Sequence, residues 1–299
     1  MNWRNFLLVT VFSLSSLSFA QSNLLNAKTP AEIGKKTEAQ KNADNDKPLP
    51  YGYIGDRDVF MGKTVWELID VDQRVNYPMY YPVDDSKDLG SERKPLFFFF
   101  LKGNDDGKIT EVYDSGYFTV KKTFDDIQKA RVFIDTSDAG IEQLAAGDPI
   151  SEEFITKQTI DAFHVRGYKI KGFWYFDKRQ GDLRYRLQGI CPLVPDVYTM
   201  NKEENKNDAP IELFWIYFPA SRDVLHEAKA FNEKNSAMPF TFDHLLNARR
   251  FNAVIYLEEN VYGDREIKDY MKENAQMQLL ESERVKEKIR NFELDMWNY

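Results

Sequence analysis

The chain carries one cysteine, Cys191, in 299 residues. A lone thiol closes no internal disulfide, so the core must hold the fold unaided. Cys191 stands between Ile190 and Pro192 with no histidine near it in sequence. It reads as a small buried apolar residue rather than an activated nucleophile. Histidine is scarce as well: His164, His226 and His244 are all there are. Asp161 and His164, and Asp223 and His226, stand three apart. Neither pair finds a third ligand at recognisable spacing, and no H-E-x-x-H occurs.

Other signatures are missing too. There is no G-x-S-x-G, no Walker A and no G-x-G-x-x-G. Acidic pairs such as Asp105-Asp106 and Asp125-Asp126 are expected by chance among 48 carboxylates, so they name no glycosidase. No Lys/Arg-rich tract interrupts a net charge of −8, which argues against a nucleic-acid partner. No metal or cofactor is expected. Beyond the N-terminus no apolar run is long enough to span a bilayer; residues 95–101 fall far short.

What is present begins with residues 1–20. Arg4 supplies a positive start, residues 6–12 are apolar, and Ser18-Phe19-Ala20 resembles a signal-peptidase site. The mature protein is therefore expected to be exported. Residues 21–50 are polar after Leu24 and Leu25 and read as a flexible tether; those two leucines are its candidate partner anchors.

The fold class expected is α+β: an antiparallel, hairpin-based sheet with packed helices and a long C-terminal amphipathic helix. An N-terminal α+β subdomain is placed at 51–135, a loop-like connecting segment at 136–163, and a C-terminal α+β subdomain at 164–299. Residues 170–177 and 183–194 form a hairpin about the Lys178–Gly181 turn, and 211–218 a central strand stopped by Pro219. A helix from Ala220 or Ser221 carries Val224, Leu225, Ala228 and Phe231 on one stripe. Asp58 is expected to cap a helix reaching about Val75. Phe97 to Phe100 carry no period and are left as strand or helix. Residues 109–113 and 117–121 read as short strands, 124–134 as a helix and 251–257 as a strand. Thr241 and Asp264 read as starts of short helices.

From about Asn274 a helix places Val285, Ile289, Phe292 and Met296 in one stripe. Such a stripe ordinarily packs at home, but at a chain end it also docks partners. Phe292 and Met296, with Trp174 and Phe176 from the aromatic strand, are therefore candidate interface residues. The aromatic run could also stack on sugars, and Arg179, Arg184 and Arg186 on the hairpin could meet an anion; packing and a solvated strand face are the plainer readings.

Several long motifs carry a family resemblance. They include Gln21-Ser22-Asn23-Leu24-Leu25-Asn26-Ala27, Met61-Gly62-Lys63-Thr64-Val65-Trp66 and Lys171-Gly172-Phe173-Trp174-Tyr175-Phe176-Asp177. Further ones are Tyr185-Arg186-Leu187-Gln188-Gly189-Ile190-Cys191-Pro192, Arg249-Arg250-Phe251-Asn252-Ala253-Val254-Ile255-Tyr256 and the closing run at 281–289. Across nearly the whole mature chain the sequence resembles the GldN/PorN family of gliding-motility and type IX secretion proteins of Bacteroidetes. The four phenylalanines at 97–100 depart from the family's pattern.

The resemblance implies a non-enzymatic, periplasmic protein peripheral to the outer membrane. It implies self-assembly in a ring with a GldK/PorK-like lipoprotein, linked to GldL/PorL- and GldM/PorM-like motor components. It brings no catalytic residues. Two other classes stay open: a peptidoglycan- or carbohydrate-binding module, and a glycan-active enzyme. Sequencing the mature N-terminus should return Gln21 as the first residue; a protein that still begins at Met1 contradicts the export signal.

Overall fold

Gly62, Thr64 and Val65 sit badly in a helix. Glycine in a helix interior costs about 1 kcal/mol against alanine, and β-branched residues favour a pleated backbone. In the computed structural model residues 59–70 are not the expected helix but strand β1 (Val59–Asp70), followed by one 3-10 turn at Arg74–Asn76. β1 pairs on both edges and is buried on both faces at Val65, Trp66 and Ile69. Asp58 caps no helix. Its carboxylate accepts from the Gly55 amide at 3.2 Å and pairs with Arg179 at 3.1 Å, closing a turn before the strand.

The structure describes residues 38, 47–83, 93–147, 149, 151–200, 209–233, 240–272 and 274–297. Residues 49–230 and 240–299 make one compact unit. Residues 1–48 and 231–239 make another, of which only a few residues are described. Expectations for the signal, most of the tether and most of the polar loop at 200–210 lie outside the described residues.

The elements follow in chain order. After β1 come the short helix α1 (Tyr77–Tyr80), α2 (Leu96–Asp105), β2 (Val112–Tyr113), α3 (Phe124–Arg131), β3 (Val132–Thr136), α4 (Asp138–Ala145) and β4 (Ile155–Thr159). The hairpin β5 (Gly167–Asp177) and β6 (Asp182–Val194) follows. Then come β7 (Ile211–Glu212), β8 (Trp215–Tyr217), α5 (Phe218–Glu227), β9 (Lys229–Ala230), β10 (Phe240–Thr241) and α6 (Phe242–Asn247). The chain closes with β11 (Val254–Glu258), α7 (Ile267–Tyr270) and α8 (Ala275–Trp297).

The main sheet runs β11-β1-β5-β6-β8-β2, with β7 also on β6, and its pairings are antiparallel. This is the α+β, hairpin-based architecture with a long C-terminal helix that the pattern predicts. The hairpin register slips once. Lys171 faces Gly189 and Gly172 faces Leu187, so Gln188 is the extra residue of a bulge. Gly172 fits there because any Cβ would run into the Tyr185 ring. Gly181 closes the hairpin turn with φ +68°, a conformation open to glycine.

Other boundaries differ from expectation. Residues 211–218 are not one strand: Leu213 and Phe214 leave the ladder between β7 and β8 to fill the core. Pro219 does not stop that strand but sits in the first turn of α5, where its missing amide costs nothing. The helix ends at Glu227, so of its expected stripe Leu225 is buried within it and Ala228 just after it. Residues 97–100 are helical, with Leu96, Phe97, Phe100 and Gly103 on the buried side of α2.

Residues 117–121 form a loop with a single bridge from Lys121 to Tyr113, rather than a strand. The helix expected to 134 stops at Arg131, because Val132–Thr136 pairs with Ile155–Thr159. The expected loop before that partner contains α4. Thr241 caps α6 as expected, accepting from the His244 amide at 3.1 Å. Asp264 does not start α7; Glu266 does, and Asp264 takes φ +56°.

One face of the sheet packs against α2, α5, α6 and α8. Here Ile69, Tyr168, Ile170, Ile190 and Phe218 share the main core. Val285 and Ile289 of α8 bury against Val65 and Ile255, with Met61, Trp174 and Leu183 around them. Two polar contacts seat this helix. Ser282 Oγ accepts from the Ile255 amide of end strand β11 at 2.9 Å, and Glu293 accepts from the Leu183 amide at 3.4 Å. Pairs Glu283–Lys286 and Glu287–Arg290 lie on its solvent side, while the buried Glu281 draws in the exposed Arg284. Ile289→Ala should cost about 2–5 kcal/mol in urea denaturation. Leu294→Ala, at a half-exposed position of the same helix, should stay within about 0.5 kcal/mol.

Candidate functional site

The opposite face of the sheet has a thinner cover. Strand alternation and the register place Trp66 and Leu68 of β1, Lys169 and Lys171 of β5, and Gly189 and Cys191 of β6 on it together. Trp66, Cys191, Trp215 and Leu257 form a buried cluster edged by Tyr113, Phe118 and Tyr256. Cys191 is fully buried, and burial pushes its thiol well above the ordinary range. That environment disfavours the thiolate a nucleophile needs.

Two lysines finish this face. The Lys171 ammonium lies 4.8 Å from the Trp66 ring and 5.3 Å from those of Tyr117 and Phe118, and donates to the Gly116 carbonyl at 2.9 Å. Burial lowers its pKa, opposed by the charges of Glu259 and Asp264. The Lys169 ammonium stands 4.6 Å over the Tyr256 ring and pairs with Glu212 at 2.6 Å. Glu212 also accepts from Trp215 Nε1 at 2.6 Å. The lysine stems thus cover aromatic surface while the charged heads meet ring faces and acceptors.

A cavity of about 410 Å³ opens here among Trp66, Tyr117, Trp215, Tyr256, Glu212 and Asp264. Each carboxylate at it is engaged. Glu212 is held as above and Glu266 pairs with Lys268 at 2.7 Å. Asp264 accepts from the Tyr117 hydroxyl at 3.1 Å, and Asp269 from the Glu266 amide at 3.1 Å. Burial raises the Tyr256 phenol far above its ordinary range, so it stays neutral. The arrangement is a polar-rimmed aromatic surface suited to contact.

The histidines have local roles. His164 Nδ1 accepts from the Asp161 amide at 3.0 Å, burial holding its pKa down. His226 approaches Asp243 at 4.0 Å, and His244 stacks on Phe240 with centroids 5.7 Å apart. Among the described residues no group of three or more His, Cys, Asp or Glu is placed to hold a metal.

Of the six expected interface residues, Leu24 and Leu25 lie outside the described residues. Trp174, Phe176 and Phe292 fall along the seam between α8 and the hairpin. Phe176 is only 6% exposed and meets the half-buried Phe292 ring at 6.0 Å, and Phe60 also meets that ring at 5.8 Å. Trp174 is half-buried against Tyr185 at 4.9 Å. Met296 is half-buried near the helix end.

Sequence reasoning missed two buried ion pairs. Glu67, 1% exposed, accepts from Nη1 and Nη2 of Arg249 at 2.8 and 3.1 Å. Arg222 binds Asp243 at 2.7 and 3.1 Å, joining α5 to α6. The one available signal is Glu67 itself, a lone carboxylate between Trp66 and Leu68 in an apolar strand.

The family model described as gliding motility associated protein GldN matches residues 54–298. The chain belongs to the GldN family. No curated protein matches it. The GldN match takes in the whole main sheet, both buried ion pairs and α8. Membership makes the chain a component of the gliding-motility and type IX secretion apparatus.

Within this GldN fold the Glu67–Arg249 pair has a testable cost. Glu67→Gln leaves a guanidinium buried without its counter-charge and should destabilise by about 3–5 kcal/mol. The double variant Glu67→Gln/Arg249→Met should recover much of that loss in the same denaturation assay.

Proposed function

We propose that the protein is a non-enzymatic structural subunit of the periplasmic ring of the type IX secretion and gliding machinery. On this reading it is exported by its cleavable N-terminal signal and lies at the inner face of the outer membrane. There it assembles with further copies of itself and a GldK/PorK-type lipoprotein, and meets GldL/PorL- and GldM/PorM-type motor components. The observation that carries the reading is the GldN match across residues 54–298.

The character of the surface supports it. Lys169 and Lys171 top an aromatic layer rather than converging on one reactive atom. Exposed apolar side chains are spread widely, among them Ile134, Ile141, Leu144, Phe163 and Leu280. Among the described residues no helix is long and apolar enough to cross a membrane. Leu24 and Leu25 are the proposed anchors ahead of the folded unit, and Met296 with the outer edges of Trp174 and Phe292 a proposed contact at the α8 seam.

The aromatic cavity at Trp66 and Tyr256 supports one alternative, a module that binds peptidoglycan or another carbohydrate. Purified sacculi separate the two readings, since only the binding module should sediment with them on its own. Deleting the protein should abolish secretion of type IX cargo and, in a gliding species, movement. Single substitutions of Asp, Glu, His or Cys that leave folding and lipoprotein capture intact should leave secretion intact. One carboxylate variant that folds and captures its partner yet fails to secrete would overturn the scaffold reading.

A further inference from the structure

A second cavity, of about 370 Å³, lies beside β6 in the stretch preceding its pairing with β8. Tyr51, Tyr175, Arg184, Tyr185, Arg186 and Arg222 line it. The chain at residues 49–52 forms one wall, and Arg186 Nη2 donates to the Gly52 carbonyl at 3.4 Å. The Tyr51 ring meets two guanidiniums, 4.5 Å from Arg186 and 4.3 Å from Arg222. Its hydroxyl donates to Asn247 Oδ1 at 2.9 Å. Burial raises the Tyr51 pKa, with Arg222 opposing, so the phenol stays neutral.

The three arginines are not equivalent. Arg222 is matched by the bidentate Asp243. Arg184 reaches Asp182 at 3.7 Å, a loose pair at the rim. Arg186 touches a carbonyl and the faces of Tyr51 and Tyr175, and no carboxylate among the described residues pairs with it. The cavity therefore holds about one unmatched positive charge. A guanidinium stacked on a ring keeps in-plane N–H donors available, and their fork fits a planar carboxylate. The tyrosine rings add apolar surface beside it. A phosphate dianion would bring more negative charge than one unmatched guanidinium balances.

We propose that this cavity binds a carboxylate monoanion carried on an aromatic or apolar group, with Arg186 as its charge partner. Such a group exists as a polypeptide C-terminus or as an acidic side chain beside an apolar one. The proposal stands on the cavity alone, apart from any ring assembly.

Calorimetric titration of the full mature chain tests it with four probes: N-acetylphenylalanine, its amide, N-acetyl-glutamyl-phenylalaninamide and inorganic phosphate. One or both carboxylate probes should bind saturably, and which one binds tells the terminal source from the side-chain source. The neutral amide should bind at least tenfold more weakly, and phosphate should not compete. Arg186→Gln should weaken carboxylate binding at least tenfold, and Arg186→Lys, which keeps the charge without the fork, should fall between. Arg290→Gln on the exposed face of α8 should bind as the parent does. Should Arg186→Gln fail to fold, Arg186→Lys still reads the contact. Absent carboxylate binding, equal binding of the amide, tighter phosphate binding, or affinity unmoved by substitution at Arg186 overturns the proposal.

Discussion

The buried pair of Glu67 and Arg249 is the contact on which the arrangement of this molecule depends. Glu67 sits in β1, between the two strands that flank it. Arg249 comes from the turn between α6 and β11 and takes φ +48°, an uncommon backbone for a non-glycine residue. Its guanidinium stacks 4.1 Å from the Tyr185 ring and near Trp174 and Phe251 at 5.0 and 5.2 Å. One cation thus contacts β1, β5, β6 and the approach to β11. Such a pair need not stabilise more than apolar residues of equal volume would. It does penalise any arrangement that leaves either charge alone. Asn76 does similar work nearby, donating to the carbonyls of Asp70 and Asn252 at 2.7 and 3.0 Å and accepting from the Asn252 amide at 2.9 Å.

Fixing β1 in the sheet creates two unlike faces. One carries the helices and the large core. The other carries a single aromatic layer whose exposed side is finished by lysines, short turns and acidic residues. Burial of apolar area favours the first face as the source of stability. The second is free to vary in outline, because its polar groups partner one another locally. That division suits the scaffold role proposed above, in which one face carries stability and the other contact.

Much of this was legible in the sequence, and the failures share a cause. The β5–β6 hairpin, the Thr241 cap and the stripe of α8 are local patterns, and they appear where period and capping place them. The sequence pattern of β1 is ambiguous, because its apolar residues fit a helical spacing as well as a strand buried on both faces. Only its two partners, β5 and β11, one of them about 190 residues away, decide between these. β3 reads as the end of a helix because its partner, Ile155–Thr159, lies in a stretch whose sequence carries no strand pattern. Residues 97–100 become readable once Gly103 extends the buried side of α2 at helical spacing. At the site, the inert burial of Cys191 was legible from its neighbours. The lysine-covered aromatic face was not, since Lys169 and Lys171 resemble ordinary outward residues until Trp66 and Tyr256 are beneath them.

The two ends of the main sheet have a consequence for growth. At β11 the Ile255 amide is taken by Ser282 of α8. At β2 the chain folds back on itself, with the Lys122 amide on the Val112 carbonyl and the Asp114 amide on the Val120 carbonyl, both at 2.9 Å. A strand from another molecule therefore meets, at each end, backbone groups already taken by the chain's own atoms. On the assembly proposed above, contacts between copies at these ends fall to side chains, which meet at fixed angles. Angles of that kind can close on themselves after a set number of copies, whereas strand addition has no natural stopping point and runs on into fibres.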